Sequence, residues 1–179
     1  MNRTGVYTSI VFLAILCTPL FATAAETQNH PKAELFGGYQ YSRIGGSGGV
    51  NADGWNAAIT SDVTHWFGVT ADFSGAYKSF GGINAKAYTY TVGPTLSARG
   101  ARVTCFTHML LGGFHASAGF QGLSGSINGF AMMVGGGVDV KVTTHIAIRV
   151  IQPDWILWRA QGLTEKKNAR ISTGIVFRL

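Results

Sequence analysis

Apolar and polar residues alternate with period two along most of this chain, in segments of about ten residues separated by turn-forming residues. The last segment is the cleanest. Ala169, Ile171, Thr173, Ile175, Phe177 and Leu179 occupy one face, against Asn168, Arg170, Ser172, Gly174, Val176 and Arg178 on the other. Phe130, Met132, Val134, Val138 and Val140 alternate in the same way with Ala131, Gly135, Gly137, Asp139 and Lys141. Phe67, Val69, Ala71, Phe73 and Tyr77 oppose Gly68, Thr70, Asp72 and Ser74; Tyr88, Tyr90, Val92, Pro94 and Leu96 oppose Thr89, Thr91, Gly93, Thr95 and Ser97. Successive side chains on a strand point to opposite faces, so each segment predicts a strand with one apolar face. Weaker segments at 34–42, 55–63, 103–114 and 146–154 bring the expected total to eight. The segment 103–114 is apolar on both faces, which leaves its phase open. In the seventh, the apolar row Ile146, Ile148, Val150 runs on into Gln152 and Asp154. A polar pair on an apolar face is costly, so a bulge near Pro153 or a strand end above the bilayer is expected there.

Segments of this length suit tilted transmembrane strands, which need about 9–11 residues. The other solution for the period is a soluble lipocalin-like barrel in the periplasm, whose apolar face would have to fill a narrow interior. Gly, Ser, Thr, Asn and single charges fit that interior better than bulky rings do, so the apolar face is expected to meet lipid. The fold class is therefore all-β, an eight-stranded antiparallel up-and-down transmembrane β-barrel. The connections alternate long and short: 43–53, 62–65, 78–84, 99–102, 117–128, 143–145 and 159–167. Short turns belong on the periplasmic side of an outer-membrane barrel, which leaves four longer loops outside. Aromatic residues gather at both ends, with Tyr41, Trp55, Tyr77, Tyr88, Phe130 and Trp158 near the loops and Trp66, Phe67 and Phe177 near the turns. Two such bands are the aromatic girdles of a membrane protein.

The amino terminus adds export. Met1-Asn2-Arg3 is positively charged, Val6 to Phe21 is mainly apolar, and Ala22-Thr23-Ala24-Ala25 presents the small residues that signal peptidase reads. Cleavage after Ala24 or Ala25 is expected, giving a signal peptide over 1–25 and a barrel domain over 26–179. Cys105 is then the single cysteine of the mature chain, so no internal disulfide is expected. Charged residues make up only 12% of the sequence, about half the share usual in soluble domains. The formal charge of +6 comes from cations scattered singly, with only Lys166 and Lys167 adjacent, which excludes a nucleic-acid groove.

Over essentially its whole mature length the chain resembles the OmpA-like family of eight-stranded outer-membrane barrels. The segments 33–42 (AELFGGYQYS), 66–75 (WFGVTADFSG) and 174–179 (GIVFRL) carry the resemblance. It implies residence in the outer membrane among its lipids and lipopolysaccharide, with insertion by the barrel-assembly machinery. That machinery reads a terminal aromatic, whereas this chain ends in Leu179 with Phe177 two places before it. No residues are left over for the periplasmic peptidoglycan-binding domain of larger members.

Candidate chemistry is sparse. The histidines His30, His65, His108, His115 and His145 are dispersed, and neither a metal site nor a cofactor is expected. His115-Ala116-Ser117 resembles the His-x-Ser arrangement of outer-membrane lipid A deacylases, and residues i and i+2 of a strand share a face. A catalytic serine would need the imidazole within hydrogen-bond reach and an acidic group to orient it, and no acid lies near in sequence. His115 and Ser117 are thus the only catalytic candidates. The expected role is structural or in surface contact, with lipid modification or a soluble binding barrel as alternatives. Glu34, Asp72, Asp139, Lys141, Arg149, Arg170 and Arg178 fall on the inward phase. In a narrow lumen they are expected to pair and to plug it.

Overall fold

A computed structural model describes residues 31–45, 49–80, 83–120 and 123–179. The expected signal peptide lies outside the described residues. Eight strands follow in chain order: β1 (Ala33–Ile44), β2 (Val50–Asp62), β3 (Phe67–Phe80), β4 (Ile83–Arg99), β5 (Val103–Phe120), β6 (Leu123–Lys141), β7 (Ile146–Ala160) and β8 (Leu163–Arg178). Each pairs antiparallel with its neighbour in sequence, and β1 pairs with β8, which closes the barrel. Closure satisfies the backbone of every strand on both sides, as a lipid environment requires.

The outward face carries the apolar rows that the period foretold. Leu35, Ile59, Val69, Val92, Leu96, Val134, Ile148, Ile171 and Ile175 are all exposed on the wall. The fifth strand takes its phase from its partners: Thr104, His108, Leu110 and Phe114 turn inward, while Met109 and Leu111 face out. Glycines let rings lie flat against the wall. A methyl group at Gly113 would sit 2.7 Å from the Tyr90 hydroxyl, and one at Gly137 would sit 2.8 Å from the inward ring of Phe106. A ring that covers a glycine in this way shields backbone that would otherwise lie bare.

The seventh strand departs from simple alternation. Its register slips against both neighbours after Arg149, so Val150 and Ile151 are both exposed on the wall and Gln152 and Asp154 turn inward. The expected bulge near Pro153 is present, at Val150 and Ile151. One extra residue reverses the face of everything that follows. Thr173 on β8 donates from its hydroxyl to the Arg149 carbonyl at 2.9 Å, satisfying an acceptor beside the irregularity.

That reversal corrects one aromatic. Trp158, expected in the outer girdle, instead lies inside, stacked on Phe114 with ring centroids 4.6 Å apart. Trp155 takes its place on the wall. The expectation that rings avoid the interior also fails for Phe36, Phe106 and Phe114, each of which packs against lumen side chains.

The outward connections differ from expectation too. Strand pairing continues through most of the four segments expected to be long loops. Val50 to Asp53 belong to β2, Lys78 and Ser79 pair with Ala85 and Asn84, and Ser117 to Gly119 pair with Ser126 to Ser124. The register of the wall carries upward because neighbouring strands are already aligned, whereas Gly- and Ser-rich sequence there has no alternation to reveal it. Between Ala160 and Leu163 the turn is only Gln161 and Gly162, with φ of 50° and 79°. Positive φ at both positions is the type I′ requirement, met here by Gly and a strained Gln. At the opposite rim the expected short turns are present, between Asp62 and Phe67, Arg99 and Val103, and Lys141 and Ile146.

Deleting Val150 would leave Ile151 alone between the inward Arg149 and Gln152, so Gln152, Asp154 and Trp158 would keep their inward phase with no bulge. The expected outcome is a retained heat-modifiable folded band on a detergent gel. A variant that fails to fold would contradict the reading that the bulge serves only to set this phase.

Candidate functional site

Inside the barrel the polar phases of the strands converge. At the short-turn end Glu34 of β1 meets two arginines. Arg99 donates to Glu34 at 2.7 Å and to Asp62 at 2.6 Å, and Arg178 Nε lies 3.1 Å from the same Oε1 atom of Glu34. Further in, the threonine hydroxyls of Thr60, Thr70 and Thr95 form a chain across β2, β3 and β4 at 2.8 and 2.6 Å. Arg149 donates to both carboxylate oxygens of Asp139, at 2.8 and 3.0 Å. Its guanidinium lies between the rings of Phe36 and Phe106, 4.4 and 4.2 Å from their centroids. Cation–π contact on both faces helps to replace the water lost on burial.

The middle of the lumen belongs to Arg170. It donates to both oxygens of Asp72 at 2.9 and 3.0 Å, and to Asp154 at 2.8 and 2.6 Å. Asn56 donates to Asp72 at 2.8 Å, Gln152 donates to Asp154 at 2.9 Å, and His108 shares a 2.8 Å contact with Asp154. Arg149 reaches the same group by donating to Gln152 at 2.7 Å. One continuous network therefore joins β2, β3, β5, β6, β7 and β8. Charges taken out of water need partners of this quality, because a lone buried ion is far costlier than a paired one. Outward of it, Leu110, Met133 and Ile156 pack together under the Phe114–Trp158 stack.

The filling leaves little space. One small cavity of about 10 Å³ is bordered by Gln40, Trp158 and Asn168, whose Oε1, Nε1 and Nδ2 atoms have no protein partner. Another of about 10 Å³ lies among Thr60, Thr70, Asp72 and Gln152. Each has room for about one water molecule.

Of the residues expected to face inward, Glu34, Asp72, Asp139, Arg149, Arg170 and Arg178 are buried there. Lys141 is the exception. It keeps the inward phase of Asp139 but stands exposed at the short-turn rim, where the strand ends. Sequence reasoning missed Arg99, Asp62 and Asp154, and read His108 as a hydrogen-bonded histidine of the wall or the interior without fixing which. The first two sit at strand ends that read as turn, Asp154 follows the bulge, and His108 belongs to the strand without a legible phase. Nothing in the period could have joined them; an acid count against the inward arginines would have hinted that acids were missing.

His115 and Ser117 point outward. His115 lies opposite Tyr88 on β4 and Asn128 on β6, and its Nδ1 contacts the Asn128 side-chain oxygen at 2.6 Å. Ser117 lies opposite Lys86 and Ser126. The pair thus continues a polar aromatic row in which Trp55 donates to the Tyr77 hydroxyl at 3.1 Å, Tyr77 donates to Tyr88 at 3.4 Å, and Tyr39 donates to Asp53. Among the described residues no group of His, Cys, Asp and Glu has the geometry of a metal site.

No protein-family model matches the chain, and no curated protein matches it in sequence. Solved structures do match its fold. Neisserial surface protein A aligns with a TM-score of 0.70 at 11% identity, over 83% of this chain and 97% of that one. Ail, the attachment invasion locus protein of Yersinia pestis, aligns with a TM-score of 0.61 at 19% identity, over 84% and 99%. The N-terminal β-barrel domain of Pseudomonas aeruginosa OprF aligns with a TM-score of 0.57 at 9% identity, over 83% and 98%. With its apolar outer wall and two aromatic bands, the chain has the fold of a small outer-membrane β-barrel, of the OmpA-like, Ail and NspA type.

Replacing Arg170 with Met leaves Asp72 and Asp154 facing each other without a cation. Unfolding by urea in detergent micelles, followed by tryptophan fluorescence, is expected to show a loss of about 3–5 kcal/mol. Adding D72N and D154N to the same variant should recover part of it; a parent-like midpoint for the single variant would show that the pair is dispensable.

Proposed function

We propose that this protein is a closed outer-membrane scaffold that presents paired hairpins for contact at the cell surface, and that it is neither a pore nor an enzyme. The observation that carries this reading is the lumen. Arg170 and Arg149, each held by carboxylates, and the Phe114–Trp158 stack occupy the cross-section through which solute would pass. Eight strands enclose too little space for a water-filled channel even without such a plug. The outward strands remain hydrogen-bonded beyond the girdle, so the contact surface is stiff, and a stiff surface loses less entropy on binding. Export by a cleaved signal over 1–25 and insertion by the barrel-assembly machinery complete the reading, with the lipids and lipopolysaccharide of the outer leaflet as immediate neighbours.

Lipid A deacylation at His115 and Ser117 is the weaker reading. The imidazole faces an amide where a triad would hold a carboxylate, which argues for a place in the girdle.

Planar-bilayer recording of the refolded protein should show no stable conductance; a steady, sizeable one would overturn the closed scaffold. Lipid A from native membranes should carry the same acyl chains whether the barrel is wild-type or S117A, and a loss of deacylated product in the variant would restore the enzyme. Amino-terminal sequencing of the outer-membrane form is expected to begin at Ala25 or Glu26.

A further inference from the structure

Exposed charge is distributed unevenly between the two ends of the barrel. Among the described carboxylate side chains only Asp53 and Glu165 are exposed, and both stand at the hairpin end. At the short-turn end Lys32, Arg102 and Lys141 are exposed, and among the described residues they make no ion pair. Glu34 is held there by Arg99 and Arg178, and Asp62 by Arg99. The carboxylates of this end are thus engaged by arginines further in, while the cations at its rim stand without one.

Their place in the alternation sets them over the mouth. Lys32 precedes Glu34 by two residues and shares its inward phase, and its carbonyl accepts the Asp62 N–H at 3.0 Å. Lys141 follows the buried Asp139 by two residues and keeps that phase. Its N–H donates to the Arg102 carbonyl at 2.8 Å, which carries the β5–β6 register one step on and sets Arg102 opposite Lys141. Opposed residues of antiparallel strands project to the same side, with Cα atoms about 4.5–5.5 Å apart. Arg102 and Lys141 therefore make one basic lip at β5 and β6, and Lys32 faces them from β1 across the ring of strands. The exposed apolar residues of the same end, Val63, Trp66, Val142, Ile146 and Phe177, belong to the side that meets the leaflet. An anion held by the basic lips lies under the barrel, in water.

We propose that the short-turn mouth of the barrel docks an acidic segment of a periplasmic protein, whose carboxylates meet Lys32, Arg102 and Lys141. A mouth lined by one sign of charge, with low-dielectric walls behind it, focuses its field on the opposite sign. Carboxylate is the anion that this end already accepts, in Glu34 and Asp62 just inside. Alternate side chains of an extended peptide share one face at intervals of about 6–7 Å, so acids at every second position can reach both lips. The ion pairs above fill the lumen, and the segment rests at the mouth without entering. This inference goes beyond the surface-contact reading and rests on its orientation, with the paired hairpins outside and the short turns in the periplasm.

The test uses the refolded full barrel in uncharged detergent micelles and two rhodamine-labelled probes, an octapeptide alternating Asp with Ser and its counterpart alternating Asn with Ser. Fluorescence anisotropy at low ionic strength is expected to show the acidic peptide bound at least tenfold more tightly, with an affinity that falls as salt rises. K32Q/R102Q/K141Q should weaken it about tenfold, because exposed ion pairs are individually weak and three together amount to about that factor. K86Q/K166Q/K167Q, at the hairpin rim, should bind as the parent does. Zero-length carbodiimide coupling and peptide mapping should join the acidic peptide to Lys32 and Lys141 in preference to Lys86, Lys166 and Lys167. Heat-modifiable mobility verifies that each variant is folded. Equal binding of both peptides, parent-like affinity in K32Q/R102Q/K141Q, or coupling spread evenly over the lysines of both rims would overturn the proposal. So would a triple variant that binds the peptide normally but loses retention of phosphatidylglycerol in nanodiscs, since the cations would then serve the leaflet. A conducting barrel would sink the closed-scaffold reading and leave these comparisons valid, so the two failures are distinguishable.

Discussion

Within the barrel, the Arg170 guanidinium sits between the carboxylates of Asp72 and Asp154 at hydrogen-bond distance from both. It is only 1% exposed, in a cross-section enclosed by eight strands. A cation so far from water must be neutralised on the spot, and that requirement reaches well beyond the three residues. Asp72 stands on β3, Asp154 on β7 and Arg170 on β8, with Asp72 and Arg170 98 positions apart in sequence. The contact therefore pins opposite walls of the cylinder to each other. Asn56, His108 and Gln152 supply further hydrogen bonds to the same two carboxylates, which spreads the constraint to β2 and β5.

The bulge in β7 is a consequence of this demand. Were the same sequence paired without a bulge at Val150–Ile151, Asp154 would face lipid and Arg170 would keep one acid in place of two. The bulge also brings Trp158 inside, where its ring stacks on Phe114 and seals the outward end of the network. A local irregularity in one strand thus decides the chemistry of the lumen and its closure together. Backbone hydrogen bonding absorbs the cost, because Thr173 reaches the carbonyl of Arg149.

The two faces of the wall treat charge in opposite ways. Inward arginines are matched by carboxylates at close range, since the lumen offers no other way to stabilise them. Among the described residues, the outward cations near the hairpins make no ion pair and stand exposed. Between the two rims the wall is apolar and aromatic, and the girdle row that includes Trp55, Tyr77, Tyr88 and His115 marks the boundary with water.

Strand number, antiparallel order and the polarity of the two faces were legible in the sequence, because a period of two survives any error in exact boundaries. Glu34, Asp72, Asp139, Arg149, Arg170 and Arg178 were legible as lumen charges for the same reason. Three things were decided only by the tertiary structure. The phase of β5 came from its neighbours, since a strand apolar on both faces holds no internal signal; this is what sends His108 inward to Asp154 and His115 outward to Asn128. The true position of the bulge came from pairing on both sides of β7, which is non-local. The upward extension of the hairpins came from register inherited from the wall, in segments whose glycines and serines look like loop. Alternation is a property of each strand alone, whereas the partners of a charge, and the side of the wall on which a shifted residue falls, belong to the closed barrel.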